Sequence, residues 1–381
     1  MLSLSYGKVK RKSIDTVEGL LPESFDGYNI IEKDDIVLRL TDLQNDHTSL
    51  RVGLAEERGI ITSAYLTIRN RSNFCPKYLY YYLHSFDIAK GFYGMGAGVR
   101  QGLNWDGVKL LKILAPSVPE QERIAAFLDA ECAEIDAVLE KTRASIEEYK
   151  KLKQAVITQA VTKGIRGDRP MKNSGIEWIG EIPAEWDVIR NAFLYKEKSR
   201  LPEENAVSLS LSQVDGLIAT DDMKERSLKT STYDGWKQVR TNDLVLNRFK
   251  GHLGVLFAAN IEGMVSFHYG VYEPLRQFDS KFFEYLYHSD AYKAILGLKS
   301  NGMTIGLQNL SNQNFYSVYS LYPPEEEQQE IIQYLDDKCS GIDALIVQKQ
   351  EHFTEIENYK KSLIYEYVTG KKEVKTSVLA D

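Results

Sequence analysis

The chain contains one stretch of sequence twice. The stretch LAPSVPEQERIAAFLDAECAEIDA begins at Leu114, and the stretch LYPPEEEQQEIIQYLDDKCSGIDA begins at Leu321. A constant shift of 207 positions aligns the two, and the alignment needs no gap until Val161 meets Val368. A repeat of this length restricts the fold to an architecture that is built from two similar units.

The duplication also extends upstream of these stretches. Apolar segments recur in the same order in both halves and predict short strands. They include LSLSYGKV (2–9) with VSLSLSQV (207–214) and DIVLRL (35–40) with DLVLNR (243–248). The aromatic segments KYLYYYLHS (77–85) and KFFEYLYHS (281–289) fit either a helix or a strand. Each half is therefore predicted to be a mixed α/β unit of about 110 residues, followed by one long helix.

Each repeated stretch predicts a long helix with a heptad pattern. Pro119 suits the first turn of a helix, where Glu120 and Glu122 are favourable against the helix dipole. Apolar residues then alternate at spacings of three and four, which predicts an antiparallel coiled coil between the two helices. The predicted seam residues are Leu128, Cys132, Ile135, Leu139, Ile146, Leu335, Cys339, Ile342, Ile346 and Phe353.

Two lysines fall at matching interior positions of these helices. Lys153 and Lys360 would cost stability in the seam but would fix its register. Each helix would span roughly 60 Å, which is longer than a domain of this size requires. The alternative is that each helix packs separately on its own domain.

Composition limits the class of protein. Three cysteines are too few and too scattered for a disulfide framework or a zinc cluster, which fits a reducing cytoplasm. The N-terminus has no apolar signal region, and no run of residues approaches a membrane span. The net charge of −7 is concentrated in residues 319–381, which hold 7 basic and 13 acidic residues. Residues 1–113 hold 15 basic and 13 acidic residues, so the global charge does not exclude a nucleic-acid partner.

These features resemble the specificity subunit of type I restriction–modification enzymes. The resemblance lies in GIEWIGEIPAEWDV (175–188), in the helix starts PSVPEQERIAAFLD and PPEEEQQEIIQYLD, and in the duplicated order of domain and helix. It implies an α+β fold in which two similar α/β target-recognition domains are separated by two long helices with pseudo-two-fold symmetry. The implied domains are 1–113, 168–318 and the helical segments 114–167 and 319–371, followed by a tail at 372–381.

The resemblance also implies a function. Each recognition domain would bind one half of a split target in double-stranded DNA, and the helices would set the distance between the halves. Two methyltransferase subunits and the restriction and translocation subunits would be its partners in the cytoplasm. The chain itself would be non-catalytic, with no cofactor and no metal.

The second half contains a segment that the first half lacks. Residues 171–205 have no counterpart, because Met1 already aligns near Ala206. Either the first half lost this segment or the sequence starts downstream of the native start. The segment carries apolar residues that must be buried, including Trp178, Ile179, Ile182, Trp186, Val188, Ile189 and Phe193. We therefore expect Ile30–Ile31 and Ile60–Ile61 of the first domain to face a vacant site and this domain to be the less stable one.

Side chains that bind DNA bases and phosphates are expected in loops of both domains, because Arg, Lys, Asn and Gln make most such contacts. The candidates in the first domain are Lys8, Lys10, Arg11, Lys12, Arg39, Gln44, Asn45, His47, Arg51, Arg100, Gln101 and Asn104. The candidates in the second domain are Arg248, Lys250, His252, Lys299, Asn301, Thr304 and Gln308. For each single residue, a solvated loop side chain is the alternative.

The sequence gives little support to an enzyme. An adenine methyltransferase needs an Asn/Asp-Pro-Pro-aromatic tetrad, and YPPE (322–325) lacks the amide. The glycines of GMGAGVRQG (94–102) have no βαβ context. His84 and His288 lie among tyrosines and are predicted to be packing residues. A structural adaptor that binds only protein remains the alternative to a DNA-binding subunit.

Overall fold

The chain forms two compact units. The computed structural model describes residues 1–12, 25–43, 50–95, 102–213, 215–223, 233–300 and 308–375. The first unit consists of Met1–Ala144 with Lys349–Asp381, and the second unit consists of Ser145–Gln348. Each unit therefore holds one set of strands and a part of both long helices.

The first unit contains short strands followed by helices. Its strands are β1 (Leu2–Ser5), β2 (Lys8–Arg11), β3 (Asn29–Ile31), β4 (Ile36–Leu38), β5 (Val52–Leu54), β6 (Gly59–Ile61) and β7 (Leu66–Ile68). Its helices are α1 (Pro76–Ile88), a 3-10 turn (Gly91–Gly94), α2 (Trp105–Val108) and the first part of α3 (Val118–Lys163).

The second unit has more strands. They are β8 (Met171–Asn173), β9 (Glu181–Pro183), β10 (Asp187–Arg190), β11 (Tyr195–Glu197), β12 (Leu209–Ser212), β13 (Gly216–Ala219), β14 (Lys237–Val239), β15 (Leu244–Asn247), β16 (Leu256–Ala258), β17 (Gly263–Val265), β18 (Tyr269–Pro274) and β19 (Tyr319–Tyr322). Its helices are α4 (Ser280–Tyr287), α5 (Asp290–Leu298), α6 (Asn312–Tyr316) and the first part of α7 (Glu325–Val368), with 3-10 turns at Asn191–Phe193, Thr220–Asp222 and Arg248–Leu253.

The strand pairings repeat from unit to unit. In the first unit β4 lies between β5 and β7, and in the second unit β15 lies between β16 and β18, with antiparallel pairing throughout. The hairpin β1–β2 corresponds to β12–β13, and the pair β3–β6 corresponds to β14–β17. The two aromatic segments are helices, α1 and α4. The predicted α+β fold with an internal repeat is confirmed.

The central strand of each sheet is covered on both faces, which explains why its sequence is continuously apolar. Ile36 and Leu38 face one cluster of buried residues, whereas Val37 faces another. In the second unit Leu244 and Leu246 face one cluster and Val245 faces another. Side chains alternate along a strand, so a strand that is covered on both faces requires an apolar residue at every position.

The expectation that the isoleucine pairs of the first unit face a vacant site is corrected by the structure. Ile31 and Ile61 are fully buried and pack with Leu2 and Leu4 of the first hairpin. Ile30 lies on the opposite face of the strand and is 60% exposed. The hairpin β1–β2 therefore already covers the inner face of these strands.

The segment 171–205 packs into the core of the second unit. Ile182 and Trp186 are fully buried, and Trp178, Ile179, Val188 and Ile189 pack against the same core. Strand β10 pairs with β19, and strand β11 pairs with β18. Phe193 departs from the expectation, because it lies in the 3-10 turn between these strands and is 61% exposed.

The long helices pair in both units, and the predicted seam is largely buried. In the first unit Leu128, Cys132 and Ile135 pack in one cluster with Leu363 and Ile364. In the second unit the cluster contains Ile157, Ala160, Val161, Leu335 and Cys339. The other seam residues are Ile146 and Ile342, which are buried, and Leu139, Ile346 and Phe353, which are half-buried.

Charged pairs show the direction of the helices. In the second unit Lys153 pairs with Asp343 at 2.6 Å, and Arg166 pairs with Glu330 at 2.9 Å. Arg166 lies just after the end of α3, and its partner Glu330 lies nearer the start of α7 than Asp343 does, so the two helices are antiparallel. In the first unit Lys360 pairs with Asp136 at 2.6 Å in the same sense. Both lysines predicted to fix the register thus have a carboxylate partner.

Candidate nucleic-acid interface

A fixed turn follows the central strand of the second unit. The Asn247 side chain accepts hydrogen bonds from the main-chain N–H groups of Phe249 at 3.2 Å and Lys250 at 3.3 Å. Gly254 ends the turn with φ 71°, a conformation that glycine adopts without strain. Lys250 is exposed. It lies on a turn that is fixed by the Asn247 hydrogen bonds at its start and by Gly254 at its end.

Helix α5 packs against this turn and contributes further basic residues. The Cγ of Lys293 would lie 3.1 Å from a Cβ placed on Gly254, so the two elements are in close contact. The exposed Lys299 follows the last residue of the helix, and the half-buried His252 lies on the turn. The sequence predicted Lys250, His252 and Lys299 as candidates but not Lys293, because Lys293 lies on a helix rather than in a loop.

Aromatic side chains accompany these cations. Phe249 is 47% exposed, and its ring centroid lies 5.5 Å from that of His268. Phe267 is 56% exposed and contacts the same histidine at 3.9 Å. A surface that carries cations and exposed phenyl rings can bind phosphates and also contact thymine methyl groups.

Arg248 differs from the other candidates because its guanidinium is engaged inside the unit. It forms an ion pair with Glu197 and donates a hydrogen bond to Asn312 at 2.9 Å. Burial works to raise the pKa of Glu197, but hydrogen bonds from Lys237 and Asn312 and the charge of Arg248 leave it below its ordinary value. Arg248 therefore anchors the start of the turn that carries Lys250.

In the first unit the hairpin β1–β2 presents basic residues on one face. Lys8 and Lys10 alternate with Val9, which packs on the core, so they point to the opposite side. Both line a cavity of about 750 Å³ with Lys33 and Lys77, and the same cavity is also lined by four carboxylates, those of Asp34, Glu56, Asp129 and Asp136. Lys8 also lies 3.7 Å from Asp136, at an exposure where such a pair is weak.

Arg51, another candidate for DNA contact, is buried inside the first unit. Its side chain is fully enclosed and donates hydrogen bonds to the main-chain oxygens of Arg39 at 3.0 Å and Thr41 at 2.9 Å. It also donates to the hydroxyl of Tyr93 at 3.2 Å. Arg51 therefore supports the chain that leads out of β4.

The remaining candidates for DNA contact differ in their exposure and in their contacts within the chain. Arg11 is exposed but forms an ion pair with Glu57. Asn104 is exposed and caps α2 through the N–H of Gly107 at 3.3 Å. Lys12, Arg39 and Gln308 are half-buried. The candidates outside the described residues are Gln44, Asn45, His47, Arg100, Gln101, Asn301 and Thr304.

The buried cysteines and histidines are poor catalytic groups. Burial raises the pKa of the Cys132 thiol to about 11, and it also raises that of Cys339, so both stay protonated. Burial lowers the pKa of both His84 and His288 to about 4. Within the described ranges, no group of three or more His, Cys, Asp and Glu residues could hold a metal ion, and no helix is long and apolar enough to span a membrane.

Comparison with known proteins gives relatives by sequence. A chain described as the specificity subunit of the type I restriction enzyme MjaX from Methanocaldococcus jannaschii is 25% identical over 317 residues, which cover 81% of this chain and 70% of that subunit. No protein-family model matches the chain.

The fold has a counterpart among solved structures. One chain from a type I restriction–modification system, studied for its complex assembly and conformational transition, superposes with a TM-score of 0.67 at 14% identity and covers 91% of this chain and 84% of that chain. The chain is similar in sequence to a type I specificity subunit and in fold to a chain of a type I restriction–modification system. The HsdS subunit of Thermoanaerobacter tengcongensis matches more loosely, with a TM-score of 0.48 at 16% identity over 90% of this chain and 82% of that subunit. The resemblance to type I specificity subunits that the duplicated helix starts indicate is confirmed.

Proposed function

We propose that the chain is a sequence-specific DNA-binding subunit that recognises a split target and directs methyltransferase and restriction subunits to it. The observation that carries this proposal is the likeness in sequence and fold to type I specificity subunits across most of the chain. The two recognition domains are proposed to be residues 1–113 and 168–318, as expected from the sequence. The subunit itself is proposed to be non-catalytic.

The two sets of basic residues support separate DNA contacts in each unit. In the second unit Lys250, Lys293 and Lys299 lie on two elements in contact, with exposed phenyl rings beside them. In the first unit Lys8 and Lys10 lie on one face of a hairpin. Because the loops of the two units differ in sequence, the two half-sites are expected to differ as well.

The salt dependence of binding tests this function against the adaptor alternative. The chain is mixed with a methyltransferase partner and with DNA that carries the target, and the Kd is measured over a range of salt concentrations. A protein that makes 6–10 phosphate contacts loses about 10³–10⁵ in affinity between 50 and 200 mM salt. A flat response would exclude the DNA-binding proposal in favour of an adaptor.

Variants of the basic turn give a sharper test. Lys250→Ala and Lys299→Ala are each expected to weaken DNA binding and to reduce the log–log salt slope by about one. Lys150→Ala is the matched control, because Lys150 is an exposed lysine on helix α3, remote in sequence from the turn. An unchanged slope in both turn variants would remove this face from the DNA interface.

Methylation mapping of the host genome identifies the target. A two-part sequence with a fixed spacer, methylated only when the chain is present, is the expected result. Deletion of the chain should abolish methylation at these sites. Methylation that continues without the chain would contradict a role in target recognition.

A further inference from the structure

Two loops of the second unit meet at one end of its sheet. Asn247, the last residue of β15, pairs with Tyr269, the first residue of β18. The 3-10 turn that follows β15 therefore begins beside the loop that leads into β18. Phe249 lies in the turn, and Phe267 and His268 lie in the loop, so the register of the sheet brings the three rings together.

The three rings form one surface that is open to solvent, which we call the aromatic surface. The ring of His268 contacts both phenyl rings, with centroid distances of 3.9 Å to Phe267 and 5.5 Å to Phe249. Phe267 is 56% exposed, Phe249 is 47% exposed, and His268 is exposed as well. Contiguous exposed apolar residues mark a binding surface, whereas single ones need no explanation.

The scaffold that the two units share does not require these rings. The repeat aligns them with Thr41, Ser63 and Ala64 of the first unit. All three counterparts are exposed, and the first unit forms the matching strand pairings without an aromatic residue at any of these positions. The aromatic surface therefore belongs to what distinguishes the second unit from the first, and in two recognition domains the bound sequence is what differs.

The charge beside the aromatic surface fits DNA. The exposed Lys250 directly follows Phe249, and helix α5, with Lys293 and Lys299 at its C-terminal part, packs against the same turn. Lysines bind phosphates and fix the position of a protein on the duplex, and neighbouring side chains then contact the base edges.

We propose that the aromatic surface recognises a thymine in the half-site of the second unit, through contact of its phenyl rings with the 5-methyl group. In double-stranded DNA this methyl is the apolar group that distinguishes thymine in the major groove, and phenylalanine is one of the side chains that contact it. The inference rests on the proposed DNA-binding function and adds one base that the second unit selects.

Uracil is the probe, because uracil in place of thymine removes the methyl group and keeps the base pair. The chain, in complex with its methyltransferase partner, is titrated with target duplexes in which the thymines of both half-sites are replaced one at a time. The Kd of each duplex is compared with that of the unmodified target. Replacement of the contacted thymine should weaken binding about fourfold, the value expected for one buried methyl group.

Variants assign the effect to the aromatic surface. Phe249→Ala and Phe267→Ala should each bind the unmodified target more weakly than the parent chain does and should bind the thymine and uracil duplexes alike. Phe193→Ala is the matched control, because Phe193 is 61% exposed and lies near the opposite end of β18, where Tyr195 pairs with Pro274. This variant should keep the full uracil effect. Circular dichroism melts confirm that each variant is folded.

The results separate this inference from the proposed function. If the complex binds its target but no uracil replacement weakens binding, the inference is wrong and the function stands. The inference is also wrong if both Phe249→Ala and Phe267→Ala keep the uracil effect, because another surface then contacts the methyl group. If the complex does not bind DNA, the proposed function fails, and the inference fails with it.

Discussion

At the scale of single residues, the repeat conserves a buried histidine in each unit. His84 stacks on Tyr80 with ring centroids 5.6 Å apart, and the described residues offer its Nδ1 no hydrogen-bond partner. His288 shares a hydrogen bond with the main-chain oxygen of Leu256 at 2.9 Å. Both rings are enclosed beside tyrosines, as the sequence indicated. They act as packing residues that must remain neutral.

These histidines predict that stability falls in mild acid. Burial lowers the folded-state pKa of each from 6.5 to about 4, so the unfolded chain binds more protons between these values. Stability is therefore present above pH 6.5 and is lost as the pH falls towards 4. Each histidine should lower the free energy of unfolding by about 2 kcal/mol at pH 5 relative to pH 7.

His84→Phe tests this expectation. The variant keeps an aromatic ring against Tyr80 and removes one titrating group, so its free energy of unfolding should fall less between pH 7 and pH 5 than that of the parent chain. Urea denaturation at both pH values measures the difference. An identical pH dependence of parent and variant would show that His84 does not titrate with folding.

At the scale of elements, the two long helices combine an apolar seam with matched ion pairs. Lys153 with Asp343 and Lys360 with Asp136 are related by the repeat, and each lysine is partly buried. A lysine in a seam favours the one register that gives it a carboxylate partner. The apolar residues therefore drive the association, and the charged pairs select the register.

Substitution of a seam leucine should uncouple the helices. Leu335 is fully buried, so Leu335→Asp places a charge without a partner in the seam at a cost of about 3–5 kcal/mol. Leu128→Asp should act in the same way in the first unit. Leu345→Asp is the control on the same helix, because Leu345 is 41% exposed. Circular dichroism melts and DNA binding that stay at the parent values in both seam variants would contradict the coiled coil.

At the scale of the whole molecule, the two units share one plan of strand pairings. The second unit adds the segment 171–205, whose Trp186 and Ile182 are fully buried. Arg169 and Trp186 also hold the buried Glu327 at the start of α7. Burial works to raise the pKa of Glu327, but these hydrogen bonds leave it below its ordinary value. The first unit has no described equivalent of this arrangement.

The first unit is therefore expected to be the less stable of the two. Burial of one large apolar side chain is worth about 1.5–3 kcal/mol, and a domain has a margin of only about 5–15 kcal/mol. Hydrogen exchange on the full chain compares residues 1–113 with residues 206–318, and the first range should exchange faster. Equal or greater protection of residues 1–113 would contradict this prediction.

The sequence by itself determined the architecture of this protein. The constant shift between the two halves predicts two similar units, and the heptads predict the helix pair, because both patterns are local and periodic. The type I resemblance rests on the same repeated stretches and on residues 175–188. The strands around Val37 and Val245 were also predictable, because both faces of a central strand require apolar residues.

Only the tertiary structure decided which polar residues are available at the surface. Arg51 and Lys250 both lie in polar loop sequences, yet Arg51 is enclosed by main-chain carbonyls and Lys250 is exposed. Lys293 joins the basic surface only because α5 packs on the turn before Gly254. Burial and strand pairing depend on contacts between distant parts of the chain, and a local pattern does not specify them.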